Sequence, residues 1–255
     1  MPLAHRLLPI LLCLLPLHAM ADDGEPTLAV GVGMQRVPSW VGARTQRSDP
    51  IPFVDIELPQ YGFQLSTEEG LQWDWLRGAH WHGGLYGDFR WGRDHDDLGA
   101  LAGKLPTLAL RPTAGGYLEW DFTAPLDAGV HFSHDLTGQG SYLELYAEWD
   151  LSGPDRLQQS FTLRWQAMNG AAMRRFFGIA PGSAAALGVP TWQPGAGPQL
   201  AALAYDLFLP TGKHTGLATS LEFGRLLGDA AASPLVRRYG SRNQFSETLA
   251  FVYHP

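Results

Sequence analysis

Cysteine is almost missing from this chain. Cys13 is the only one in 255 residues. It lies in an apolar run, Leu7 to Leu17, that follows the basic start His5-Arg6 and precedes Ala19-Met20-Ala21. A basic start, a short apolar run and a small-residue exit are the three parts of a secretory signal peptide, with cleavage expected after Ala21. Cys13 is followed by Leu14, not by a small residue, so a lipoprotein start is not expected. The expected organisation is a signal peptide at 1–21 and one domain at 22–255. That domain has no disulfide, thiolate metal site or thiol nucleophile. Its stability must come from burial, strand pairing or lipid.

Charge and long apolar runs are also scarce. Charged residues make up 17% of the chain, against about a quarter in ordinary soluble domains. The balance is acidic, with 25 Asp and Glu against 18 Lys and Arg. Phosphate backbones need a basic face, so nucleic acid is not expected as a partner. After residue 21 no run of 18 apolar residues occurs, which excludes transmembrane helices. Phosphate-binding loops are absent as well. The glycines at 31, 33, 83, 84, 87, 216 and 224 lack the spacing before a helix that such loops require. They read as thin interior positions or bends.

Glycine and aromatic residues are abundant, with 30 Gly, nine Trp and 11% aromatics in all. The dominant pattern is period-two alternation, which puts successive side chains on opposite faces of a strand. Leu28, Val30, Val32 and Met34 alternate with Ala29, Gly31, Gly33 and Gln35. Leu126, Ala128, Val130 and Phe132 alternate with Asp127, Gly129, His131 and Ser133. Leu143, Leu145, Ala147 and Trp149 alternate with Tyr142, Glu144, Tyr146 and Glu148. Phe161, Leu163, Trp165 and Ala167 alternate with Ser160, Thr162, Arg164 and Gln166. Leu203 to Leu209, Leu217 to Phe223 and Phe245 to Tyr253 continue the pattern. Gly and Pro mark short turns at 59–62, 136–140, 152–155 and 210–213. Longer connectors are expected at 36–50, 92–106, 178–197 and 226–243. About ten to twelve strands joined as hairpins result, and no helix-period segment of convincing length follows the leader.

A soluble barrel points its apolar face inward. Here the apolar face is large and aromatic, and the other face is small or polar. That division suits lipid outside and a polar lumen within. Trp73, Trp75, Trp81, Trp91, Trp120 and Trp149 lie near segment ends, where aromatic girdles meet the two bilayer interfaces. A bilayer offers no water to backbone groups, so only helices or closed barrels span it. The expected fold is an all-β, closed antiparallel transmembrane β-barrel. Arg225, Asp206 and Glu247 fall on or near apolar faces and are expected at the rims.

Several stretches resemble the MipA/OmpV family of outer-membrane proteins. Phe176-Phe177-Gly178-Ile179, Ala184 to Pro190 and Pro194 to Gly197 carry the resemblance. So do Gly224 to Val236 followed by Gly240 to Phe245, which is the most specific stretch. Phe89 to Asp94 and Gly31-Val32-Gly33 add to it. The resemblance implies a Gram-negative outer-membrane barrel with lipid around it, and the residues themselves give no reason to expect a catalytic site, metal or cofactor. One family member is described as a scaffold joining a murein hydrolase, a lytic transglycosylase, to a murein synthase. Others are handled as porin-like or adhesion-related proteins.

Four groups of residues invite chemistry. Asp94-His95-Asp96-Asp97 offers oxygen ligands for a hard cation, but reads as a solvated acidic loop. His80 and His82 share one strand face, and no nearby carboxylate or Cys completes a metal set. Asp127, His131 and Ser133 share a face and suggest a rim-sited hydrolase. Their spacing along one strand, about 7 Å, is too long for direct hydrogen bonds. Tyr142, Glu144, Tyr146 and Glu148, with Arg164 on the next strand, suggest an ion-paired ladder that would line a small pore.

Overall fold

The computed structural model describes residues 26–67, 69–123, 125–151 and 157–255. The expected signal peptide and its cleavage site lie outside the described residues. Among the described residues twelve strands form one closed antiparallel barrel in meander order. They are β1 (Thr27–Pro38), β2 (Gln46–Leu58), β3 (Phe63–Ser66), β4 (Gly70–Arg77), β5 (Trp81–Arg90) and β6 (Arg111–Thr123). Then come β7 (Leu126–Asp135), β8 (Ser141–Asp150), β9 (Gln158–Met168), β10 (Gly197–Pro210), β11 (Thr215–Leu226) and β12 (Asn243–Tyr253). The barrel closes where β1 pairs with β12, from Val30 opposite Tyr253 to Arg36 opposite Glu247. That seam is tight, since a Cβ on Gly33 would lie 2.6 Å from the Leu249 carbonyl oxygen.

The apolar stripes face out. Val32 is 72% exposed, Leu163 59%, Leu249 56% and Phe132 51%, while Ala204, Ala250 and Val252 on the opposite faces are buried. Large exposed apolar residues stud the wall on every strand of eight or more residues except β2, whose exposed positions are Ser48, Pro50 and Pro52. A soluble protein does not carry such a belt, and a membrane barrel requires one. Closure leaves no free edge around most of the wall, so the backbone ladder satisfies itself in hydrocarbon. Among the described residues no helix is long and apolar enough to cross a membrane.

One stretch of edge is managed locally. β3 has four residues and pairs only with Asp55 to Leu58 of β2. The upper half of β2 therefore has no strand on that side. Val54 turns its N–H and C=O that way, both bonded to Thr67, so positions 50 and 52 share that direction. Both are proline, which has no N–H to leave unpaired. The Pro52 carbonyl accepts the Thr67 hydroxyl at 3.2 Å.

The two barrel ends differ. Short connections at 59–62, 78–80 and 211–214 share an end with both termini of the barrel. Longer ones at 39–45, 91–110, 169–196 and 227–242 share the other. In outer-membrane barrels short turns are periplasmic and long loops extracellular. The aromatic girdle is uneven: Trp75, Trp81, Trp120 and Trp149 lie toward the terminus-bearing end, and Trp91 and Trp165 toward the other.

Three expectations need correction. The first connector is 39–45, not 36–50, because β1 and β2 extend as one long hairpin. Asp206 lies on the lumen side of β10, in register with Ser160 and Ser220. Helices do occur: α1 (His95–Leu98), α2 (Gly170–Phe177), α3 (Pro181–Leu187), α4 (Gly228–Ala232) and α5 (Pro234–Tyr239). Each has between about one and two turns, too few for a periodic apolar stripe to stand out. Their ends were nonetheless marked. The Asn169 side chain accepts from the Ala172 N–H at 2.9 Å, Pro181 opens α3, and Gly188 closes it in the left-handed region.

The hydrophobic core lies in these loops rather than in the barrel. Met173, Phe176 and Phe177 of α2 pack with Ile179, Leu187, Ala230, Leu235, Val236 and Trp40. Tyr142, Met168 and Leu226 at the strand ends join the same cluster. The loops thus form one packed cap seated on the barrel mouth.

Candidate functional site

Polar groups converge at two places along the lumen. Toward the terminus-bearing end, His82 of β5 reaches Asp74 of β4 and Glu119 of β6. Its Nδ1 is 3.2 Å from Asp74 Oδ1 and its Nε2 3.1 Å from Glu119 Oε1. Asp121 Oδ1 stands 3.9 Å from the same Nε2. The Tyr146 hydroxyl donates a short bond to the other Glu119 oxygen. These carboxylates come from neighbouring strands, so the sequence expectation that none stood near His82 is corrected. His80 is exposed and takes no part.

His82, Glu119 and Asp121 could hold a metal ion, since their ligand atoms lie within 4.8 Å of one another. The hydrogen bonding favours another state. Carboxylates only accept, so an imidazole bonded to two of them donates from both nitrogens and carries a positive charge. Such a ring has no lone pair for a metal. The cluster is a half-buried cation held among three acids. Replacing His82 with leucine is expected to destabilise the barrel by about 1–3 kcal/mol near neutral pH, where the carboxylates are left charged and facing one another. The cost should shrink below the carboxylate range, because protonation removes the repulsion. Urea unfolding of both forms at the two pH values checks this, and a cost independent of pH would refute the charge argument.

Further up the lumen, His131 of β7 stacks on Tyr86 at 4.3 Å between ring centres. Tyr117 and Tyr146 contact the same ring at 5.9 and 4.9 Å. Glu144 Oε1 is 3.7 Å from His131 Nδ1, beyond hydrogen-bond length, and Glu144 bonds instead to Gln166 at 2.5 Å. Arg164 does not pair with the β8 glutamates. Its Nη1 meets Glu222 of β11 at 3.1 Å, because Tyr146 stands directly opposite it on β8. The expected ladder is therefore a set of separate pairs.

The hydrolase triplet does not assemble. His131 is enclosed by aromatic rings, both its nitrogens lack hydrogen-bond partners, and Ser133 is fully buried. Asp94 to Asp97 are explained locally. Asp94 caps α1 by accepting from the N–H groups of Asp96 and Asp97, and Asp97 accepts the Asp94 N–H in return. Asp97 also takes Arg47 Nη1 at 2.7 Å, which ties α1 to β2.

Sequence reasoning missed Arg93, which is buried inside the cap. Its Nη1 donates to the Phe176 carbonyl at 3.1 Å and its Nε to the Pro106 carbonyl at 3.3 Å. Phe176 lies in the last turn of α2, where the helix dipole favours a cation. Burial, with Arg175 adding repulsion, pushes the Arg93 guanidinium down to about 10, so it stays charged at neutral pH. Burial likewise lowers Arg175, with Arg111 adding to it. Beneath the cap, Tyr142, Glu144, Gln166, Met168 and Phe176 border a cavity of about 140 Å³. That is smaller than the few hundred Å³ a drug-sized ligand needs.

A family model described as MltA-interacting protein MipA matches residues 30–255. The chain belongs to the MipA family. No curated protein matches it. Among solved structures it is similar to a bacterial polysaccharide outer membrane secretin, with 9% identity over 89% of this chain and 97% of that one, TM-score 0.45. It is also similar to an outer membrane channel from Pseudomonas putida F1, with 10% identity over 95% and 97%, TM-score 0.42. A NanC porin gives 9% identity over 89% and 98%, TM-score 0.40. Nothing about this chain follows from likenesses at that level. As a MipA-family protein with a closed wall and an apolar exterior, it is an outer-membrane β-barrel, and the stretches that carry the sequence resemblance all lie within the matched residues.

Proposed function

We propose that this chain, exported by a signal peptide cleaved after Ala21, is a membrane-anchored scaffold that docks a murein hydrolase and a murein synthase from the periplasm. The family description, MltA-interacting protein, supports the choice of partner. The observation that carries the reading is the cap. A packed core rooted in Phe177, Leu235 and Val236 sits over the long-loop mouth. The terminus-bearing end is left as the surface a periplasmic enzyme can reach. The separated Asp127, His131 and Ser133 favour a non-enzymatic role.

The test uses the mature protein immobilised in detergent and offered a purified murein hydrolase and a purified murein synthase, each alone. Retention of both is expected, and retention of neither overturns the scaffold. A porin-like pore is the second reading, favoured by the polar lumen with Glu144, Arg164 and Glu222. It predicts steady current across planar bilayers, whereas the capped scaffold predicts none.

A further inference from the structure

A cavity of about 440 Å³ opens outside the barrel wall, where the cap meets β11 and β12. Arg44, Arg225, Arg237 and Arg242 line it, with Ser241 and Asn243 between them. Among the described residues no carboxylate lines it. Four guanidinium groups around one space repel one another unless an anion sits among them. In a chain of net charge −7 such a concentration is not a consequence of composition.

The site is built rather than incidental. Arg44 donates to the Gly240 carbonyl at 3.1 Å, and Arg242 Nε to the Ala231 carbonyl at 3.1 Å. Those bonds fix two of the four arginines. Arg225 and Arg237 form no hydrogen bond or ion pair among the described residues, and both are exposed. The backbone behind them is laced together. Ser241 N–H donates to the Gly42 carbonyl at 2.9 Å, and Gly42 N–H to Gln244 Oε1 at 2.8 Å. Gln244 Nε2 donates in turn to the Ser241 carbonyl at 2.8 Å.

Depth identifies the ligand's source. Phe223 and Phe245 pair across β11 and β12 and point outward. Arg225 and Asn243 are the next outward pair toward the cap. The cavity therefore begins where the apolar belt ends, at the level of lipid headgroups. On the β1 side Arg36 is neutralised by Glu247 at 3.4 Å and adds nothing to the site.

We propose that this cavity binds a phosphoryl group carried by an anionic lipid of the outward-facing leaflet. Guanidinium forks match phosphate oxygens two at a time, which a point-charge ammonium does not. The proposal rests on the membrane placement and not on the scaffold reading.

The full mature protein is reconstituted in phosphatidylcholine vesicles with and without a minor fraction of bisphosphorylated lipid A. Lipid carried through detergent extraction is then counted by native mass spectrometry. Wild type is expected to retain the phosphorylated lipid, and the double variant Arg225→Gln/Arg237→Gln to hold it roughly tenfold more weakly. The charge-matched control Lys104→Gln/Arg238→Gln lies outside the cavity and should change retention by less than about twofold. Resistance of each unboiled sample to detergent confirms folding. Equal retention by the cavity variant and wild type overturns the site. Inorganic phosphate, titrated alone, is expected to bind far more weakly; if it binds as tightly as the lipid, the lipid assignment falls.

Discussion

Phe177→Ala is expected to open the cap while the barrel stays closed. Phe177 is fully buried at the end of α2, against Met173, Ile179 and Leu235 in one cluster. Phenylalanine truncation at such a site costs about 3–5 kcal/mol, the spread depending on how far neighbours collapse into the void. The backbone bond from the Ser233 hydroxyl to the Phe177 carbonyl survives the change, so the loss falls on packing alone. Strand pairing uses none of these atoms, and local opening free energies differ between a packed loop unit and a closed ladder. The readout is limited trypsin digestion. The Arg174, Arg237 and Arg238 side chains are exposed and Arg175 is half-buried, but the backbone that carries them is held in α2 and α5, so trypsin can seat the chain for cleavage there once the cap unfolds. Cleavage there should accelerate roughly a hundredfold or more, with the detergent-resistant gel form retained. Unchanged protease resistance would mean the cap is not a cooperative unit. Loss of the gel form would mean cap and barrel stand or fall together.

Much of the barrel was legible because two rules coincide. A strand alternates faces, and lipid demands that one face be apolar. Leu28, Val30, Val32 and Met34 are readable for that reason, and so is the Tyr142 to Trp149 strand. The cap was not legible as a core. Its apolar residues come from four loops, and its longest helix, α2, spans only Gly170–Phe177. The His82 cluster was hidden for a different reason. Asp74 and Glu119 lie on the strands either side, and which residues stand opposite depends on register. That register also includes an irregularity between Asp74 and Leu76. Arg164 illustrates the same limit, since its partner Glu222 lies two strands away. The Asp94–Asp97 capping box, by contrast, carries a local signature, an acidic pair three residues apart. It was readable in principle from spacing alone.

Leu163→Arg tests the orientation on which the membrane assignment stands. Leu163 sits at the middle of β9, points outward at 59% exposure, and is flanked on the same face by Leu203 and Ala147. An arginine at mid-bilayer on a barrel's lipid face costs about 2–4 kcal/mol, falling to about 0–1 kcal/mol near the interfaces. Leu209→Arg supplies the comparison. It lies on the same outward face, at 45% exposure, one residue from the end of β10. The native chain places Arg225 beside the last residue of β11, whereas Glu247, expected at a rim, stands deeper on the outward face between Phe245 and Leu249, where Arg36 pairs with it at 3.4 Å. Urea unfolding in phospholipid vesicles should therefore rank the two variants with the central one clearly less stable. In detergent micelles, which deform around a charge, the gap should narrow. A solvent-facing wall would give two small and equal costs, because neither position would leave water. The difference between the two positions thus measures the hydrocarbon itself, independently of any effect arginine has on strand formation.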